Sequence, residues 1–319
     1  DLADPGFWDR PLADRATAFD LLRNDDPYRY FDLPSEVTEQ FPQRGFHALV
    51  RHADVVEASR RPEDFCSGYG GTTAVDLPSS ELTRYFGSMI SMDDPRHRRL
   101  RSIVSAGFTP RRLATLEDSV RRIAGEIVDD LLESGPCDFV TEVAARLPLQ
   151  IICEMMGVPR EHWGMVFEQS NTILGGQDEE YMVEGVDIGS QLFMAAYQLT
   201  ELMSGLIAER VETPTEDLTS ALVHAEVDGE RLTHEEISSF FILLLVAGNE
   251  TTRNAISWAL NLVTEHPDQR AIWWDDFEGV APSAVEEVVR WASPVISMRR
   301  TATRDGVTLG DQAFDEGDK

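Results

Sequence analysis

The sequence is short of positive charge and of cysteine, and each shortage narrows the field. Its 319 residues carry 28 Lys and Arg against 57 Asp and Glu, a formal net charge of -29. Such a surface repels a phosphate backbone, which argues against general nucleic-acid binding. Three cysteines, an odd number in a long chain, do not make a disulfide framework and fit a reducing compartment. Cys66, Cys137 and Cys153 form no Cys-x-x-Cys pair and no Cys/His cluster of the kind zinc requires. No apolar run reaches the roughly 20 residues that a membrane span needs. The opening DLADPGFWDRP shows no signal peptide and no membrane anchor. Internal repeats and low-complexity tracts are missing too. A cytoplasmic protein able to bury a large core is the expectation.

What the sequence does hold is one long organised stretch, Thr233 to His266. Thr233 with Glu236 three residues on makes a capping box, so a helix starts there. His266-Pro267 ends it, because a proline disfavours helix at the residue before it. The helix is about 34 residues and about 50 Å long at 1.5 Å per residue. Phe240 to Val246 is apolar on every face, which predicts burial all round. Ala247-Gly-Asn-Glu-Thr-Thr252 then interrupts it with a glycine and four polar residues. Ala247, Glu250 and Thr251 share one face by their spacing. A small residue, an acid and an alcohol inside a protein read as a pocket wall that admits a small ligand and hands it protons. The plainer alternative is a helix whose polar half emerges into solvent.

Other stretches supply cations and lining. A short helix is expected near Ala13–Arg23, a strand at Phe46–Val50 and a helix near Ala53–Arg60. Residues 66–91 read as a long loop carrying Tyr69, Leu77, Tyr85, Phe86 and Met89, the kind that covers a site. Asp94 and Pro95 open a helix through Phe108. Its inner stripe of Leu100, Val104 and Phe108 includes His97 and Arg101. Basic residues at a helix start oppose its dipole, so this pair asks for a buried anion. Amphipathic helices are expected at Arg111–Glu133 and Phe139–Gly157, the latter punctuated by Pro148. Three more fill 159–211 with a break at Gly175-Gly176, and a polar connection with a short helix runs from Pro214 to Glu230. Pro282–Ala292 reads as a short helix in which Glu287 can pair with Arg290, with Glu286 competing. Pro294–Leu309 reads as β-like, and the final acidic turn shows no terminating element.

Taken together these pieces resemble the cytochrome P-450 family of haem-thiolate monooxygenases. Ala247-Gly-Asn-Glu-Thr-Thr252 resembles its oxygen-groove motif on the long central helix. Glu287-x-x-Arg290 resembles its Glu-x-x-Arg pair, a structural element. His97-x-x-x-Arg101 and Arg300, in Arg300-Thr-Ala-Thr-Arg-Asp305, resemble the residues that hold the haem propionates. The runs MDDPRHRRLRSIVSAGFTPR, PLQIICEMMGVP, FFILLLVAGNETTRNA and AVEEVVRWASPV resemble an actinobacterial subgroup that oxidises lipids. The resemblance implies a mainly α fold with small β-sheets, one domain over residues 1–319, and haem b as cofactor. It implies that Ala247 and Gly248 give dioxygen room, that Thr251 hydrogen-bonds it and that Glu250 feeds protons from solvent. Met89, Ala247, Val295, Ile296 and Met298 would line the channel for an apolar methyl-branched lipid, isoprenoid or sterol side chain. Electrons would come from NAD(P)H through a reductase and an acidic ferredoxin, docked on Arg96, Arg98, Arg99, Arg111 and Arg112. The family's haem cysteine lies downstream of these motifs, so it is expected beyond Lys319, and no metal ligand is expected within the chain. A helper protein of the same fold without that cysteine is the alternative; it fits the intact motifs badly.

Overall fold

The computed structural model describes residues 1–39, 43–73, 76, 88–175 and 185–319. The chain falls into two compact units, one of Asp1–Thr83, Met89–Arg98 and Ser297–Lys319, the other of Arg84–Ser88 and Arg99–Ile296.

Among the described residues the first unit carries the helices α1 (Pro5–Trp8), α2 (Leu12–Asp25), α3 (Ser35–Thr38) and α4 (His52–Ser59). Around them lie three two-stranded antiparallel sheets. Strand β1 (Tyr30–Asp32) pairs with β2 (Gly45–His47), placing Phe31 opposite Phe46. Strand β3 (Phe65–Cys66) pairs with β4 (Thr301–Ala302), and β5 (Val307–Leu309) with β6 (Gln312–Phe314). Phe65, Ala302, Val307, Leu309 and Phe314 are buried together with Ala58 of α4. The expected β-like run from Pro294 is corrected here: residues 293–300 are irregular, and strand begins only at Thr301. The acidic ending is also more ordered than expected, since β6 pairs with β5 and the Lys319 carbonyl accepts from the His47 amide at 2.8 Å.

The second unit is helical. Helix α5 (Arg96–Gly107) leads into α6 (Pro110–Ser134), which Thr109 caps by accepting from the Arg112 amide. A π-helical turn, Val140–Ala144, precedes α7 (Arg146–Met156), so the expected Phe139–Gly157 helix is two pieces. Pro148 sits in the first turn of α7, where its missing N–H costs nothing. Gly157 ends α7 at φ +73, and a Cβ there would collide with the Asp217 carboxylate. Helices α8 (Trp163–Leu174), α9 (Ile188–Glu212) and α10 (Leu218–His224) follow. Gly176 of the expected break lies outside the described residues. The long helix α11 (His234–Glu265) packs on α7, α8, α9 and α10, with α12 (Pro267–Asp275) and α13 (Phe277–Ala292) after it. Helix α13 starts five residues before the expected Pro282. Asp276 caps it by accepting from the Gly279 amide, and Pro282 is accommodated inside with exposed surroundings.

Candidate active site

Helix α11 begins as its sequence dictates. The Thr233 hydroxyl accepts from the Glu236 amide at 3.1 Å while the Glu236 carboxylate accepts from the Thr233 amide at 2.9 Å. Such a cap stabilises a helix by about 1 kcal/mol. Along the next three turns Ile237, Ser238, Phe241, Ile242, Leu245 and Asn249 are buried against the neighbouring helices. The opposite face is not. Leu243, Leu244 and Thr251 are half-buried and Ala247 is exposed. The expectation of burial all round, with Ala247 deep inside, is therefore corrected: uniform apolarity does not say which face finds a partner helix. The result is an open apolar strip, Leu243, Leu244 and Ala247, ending on Thr251.

The polar residues of this turn point to separate tasks. The Thr251 hydroxyl donates to the Ala247 carbonyl at 2.7 Å. Both Glu250 oxygens are engaged, one by the Arg253 guanidinium and the other by Asn254 Nδ2 at 2.9 Å. Arg253 donates further to Asn171 Oδ1 on α8 at 3.2 Å. Gly248 sits where α11 meets α7, and a Cβ there would lie 3.2 Å from Ile152 Cδ1. Its lack of a side chain allows close helix contact at this point. Asn249, to which sequence reasoning gave no role, is 0% exposed, and neither amide atom has a hydrogen-bond partner.

On α5 the buried face is Leu100, Ile103, Val104 and Gly107. That face is rotated from the expected stripe, so His97 lies at its edge and Arg101 is exposed. Arg101 makes no hydrogen bond or ion pair among the described residues. His97 Nδ1 is 3.7 Å from Asp94, whose carboxylate also takes Arg98 at 2.5 Å. The hydrogen bond from Arg98 holds the Asp94 carboxyl below its usual range. Arg99 is fully committed, to Glu230, to Glu236 Oε1 at 2.9 Å and to the Arg231 carbonyl at 2.7 Å. The expected basic island is thus partly neutralised. Arg96 and Arg112 are the two members with no carboxylate within ion-pair distance among the described residues, Arg112 instead donating to the carbonyls of Gly107 and Glu216.

In the other unit Arg300 spends one donor on the Arg299 carbonyl at 2.8 Å. Arg299 is buried and holds Gly71 O at 2.9 Å, Gln43 Oε1 at 2.9 Å and Asp76 at 2.7 Å. This fixes the irregular segment that carries Arg300, just before β4, and the loop through Gly71. Leu77, Tyr85 and Phe86 of the expected loop lie outside the described residues. Met89 is half-buried there, and Met298 is exposed. Val295 and Ile296, at the end of the helical unit, are exposed at 55% and 65%. Glu287 and Arg290 form a two-pronged pair at 2.6 Å through each oxygen, exposed on α13, and Glu286 does not compete. The hydrogen bond from Arg290 lowers the Glu287 pKa.

Among the described residues no cluster of three or more His, Cys, Asp or Glu could hold a metal ion. Cys153 is buried in α7 with its thiol pushed up to about 12 by burial, Cys66 is buried in β3, and Cys137 is exposed after α6. Among the described residues no helix is long and apolar enough to cross a membrane.

The family model for cytochrome P450 matches residues 190–271, from α9 into α12. A methyl-branched lipid omega-hydroxylase of Mycobacterium tuberculosis (strain ATCC 25618 / H37Rv) is 45% identical over 100% of this chain and 73% of its own length. A steroid C26-monooxygenase of Mycolicibacterium smegmatis is 37% identical over 93% of this chain and 68% of its own. A Mycobacterium marinum cytochrome P450 solved in complex with pseudoionone superposes with a TM-score of 0.90 at 39% identity, covering 100% of this chain and 77% of that one.

Proposed function

The chain belongs to the cytochrome P450 family of monooxygenases, and from that premise we propose that it hydroxylates an apolar substrate at a terminal methyl group. The substrate class we propose is a methyl-branched lipid, an isoprenoid or a sterol side chain. Support comes from the two relatives named for such chemistry. The observation that carries the reading is the open strip of α11, where apolar Leu243, Leu244 and Ala247 run into a hydroxyl and, beside it, an engaged carboxylate.

The family brings a haem iron and electrons from a redox partner, and when bound the haem supplies the activation of dioxygen that side chains cannot. The residues present fit such a group. Among the described residues Arg101 has all its donors unspent and Arg300 has used one, a supply suited to an anion carrying two carboxylates, with His97 as a third donor. We assign the propionates to these three and the flat apolar face to Leu243, Leu244 and Ala247. Thr251 places its proton on the Ala247 carbonyl, which leaves the lone pairs of Oγ1 free to accept and steady an incoming proton. Glu250 is held through both carboxylate oxygens by Arg253 and Asn254. It passes a proton inward only by releasing one of them, acting as a general acid drawn from solvent. Met89, Val295, Ile296 and Met298 offer apolar surface to the substrate.

For electron delivery we propose an acidic ferredoxin reduced by NAD(P)H through a reductase, which places the protein in the cytoplasm where those carriers are kept. Arg96 and Arg112 retain net charge for steering. Reduction by ferredoxin should slow as ionic strength rises and in Arg112→Glu; rates indifferent to both would remove that partner.

The test of the whole reading is turnover. The full chain loaded with haem, given ferredoxin, reductase and NADPH, should add one hydroxyl to the terminal carbon of a methyl-branched fatty acid or a cholestane side chain, detected by mass spectrometry. No oxygenated product from any apolar substrate of these classes would overturn it.

A further inference from the structure

Asn249 is 0% exposed, yet both its Oδ1 and its Nδ2 lack a hydrogen-bond partner. Buried amides are almost always satisfied, and an unpaired one in a core is costly enough to need an explanation. Its position is defined on both sides. One residue before, Gly248 closes on Ile152 of α7. One turn after, Arg253 reaches Asn171 of α8. On its own face Ile242 and Leu245 are buried and offer only hydrocarbon.

The helix itself cannot satisfy this side chain. An asparagine can turn its NH2 to the carbonyl one turn back, as Asn24 does with Asp20 at 2.9 Å. The Oδ1 would still lack a donor, because helix N–H groups inside a helix are spent on carbonyls four residues earlier. Ser238 and Ser239 on the same helix also have unpaired hydroxyls, but a serine can rotate onto its own i−4 carbonyl and be satisfied. On α8, Ser170 spends its hydroxyl proton on the Phe167 carbonyl at 3.0 Å, and Asn171 Oδ1 accepts from Arg253. A group that both donates and accepts, and is small enough for a packed core, is required. Water is that group, and internal waters typically make about three hydrogen bonds to polar atoms left otherwise unmatched.

We propose that Asn249 binds an ordered internal water on the buried side of α11, and that this water belongs to the proton supply of the adjacent Glu250–Arg253 pair. The second half rests on the function proposed above; the first does not. Asn249 precedes Glu250 in sequence and lies one turn before Arg253, so the water gives that pair a neighbour able to take up and release a proton from the protein side. Glu250 is then reached from two directions, from solvent and from the core.

Two measurements test this. A crystal structure of the full chain at a resolution that shows ordered solvent should have a water about 3 Å from Asn249 Oδ1 or Nδ2. It should be missing in Asn249→Leu, which has nearly the same shape and no polar atoms. A dry site in the wild type overturns the proposal. In turnover, Asn249→Leu should lower product formed per NADPH several-fold and enlarge the solvent deuterium effect, with substrate affinity unchanged. Asn249→Ser, which keeps a donor and acceptor beside room for water, should recover most of the loss, and it also serves if the leucine variant folds poorly. A water present in the crystal with wild-type coupling in both variants overturns the proton-supply role. If the protein oxygenates nothing, the functional reading fails while the crystallographic test still decides the water.

Discussion

Gly248→Ala would put a methyl carbon 3.2 Å from the terminal methyl of Ile152, with Cγ1 beyond it at 4.0 Å. Two terms then oppose each other. Replacing glycine by alanine inside a helix gains about 1 kcal/mol. Against this, Cδ1 of Ile152 must move by a few tenths of an ångström in a packed interface, and an off-rotamer side chain costs about 0.5–1.5 kcal/mol. The sum is near zero, so Gly248→Ala alone should change stability by no more than about 0.5 kcal/mol. The informative experiment is a double-mutant cycle. Ile152→Val removes the obstructing methyl and by itself should cost about 0.5–1.5 kcal/mol. In that background Gly248→Ala should regain its full helix benefit, giving a coupling of about 1 kcal/mol between the two positions. Urea unfolding followed by circular dichroism measures all four proteins on one transition. A coupling within about 0.3 kcal/mol of zero would show that the glycine does not face Ile152 and would refute the packing argument. Turnover of Gly248→Ala adds a second reading, since a residue kept bare for helix contact tolerates a methyl group without losing coupling of electrons to product.

Further outcomes are expected elsewhere. Thr251→Ala should leave substrate binding intact and divert reducing equivalents to hydrogen peroxide; unchanged product per NADPH would remove Thr251 from the chemistry. Arg101→Glu and Arg300→Glu should each weaken haem retention, measured as cofactor lost on gel filtration, and equal retention would free those cations from the assigned role. On α7, burial alone would raise the Glu154 pKa, but hydrogen bonds from Arg122 and Ser119 outweigh it and hold the group below its ordinary value of 4.5. A depressed carboxylate contributes stability that is complete above the unfolded pKa and is lost as pH falls through the folded one. Unfolding midpoints should therefore drop as the pH is taken below about 4.5, and Glu154→Gln should flatten that drop.

What could be read from the sequence was local. The capping box of Thr233 and Glu236 and the Glu287–Arg290 pair depend on residues three apart on one helix, and both formed as the spacing demanded. What could not be read was direction. Arg101 was expected to face inward because it shares a stripe with apolar residues, and Ala247 because it follows a run apolar on every face, yet which face is covered depends on the helices that pack there. The commitments of Arg99 were likewise hidden, since Glu230 and Glu236 lie far along the chain. The start of α13 was missed because Pro282 resembles a first-turn proline, whereas Asp276 provides the cap. Asn249 gave no signal beyond being polar in an apolar run; its importance rests on packing from α7 and α8.

The uncovered strip of Leu243, Leu244 and Ala247 has a thermodynamic corollary. Whatever settles on it removes hydrocarbon from water, so the folded form and the loaded form are linked by mass action, and every tenfold excess of ligand over its dissociation constant adds about 1.4 kcal/mol to the stability of the helical unit. Cells short of iron porphyrin would then hold less of this protein at the same rate of synthesis, because chains with that stripe still wet are the ones that proteases find open.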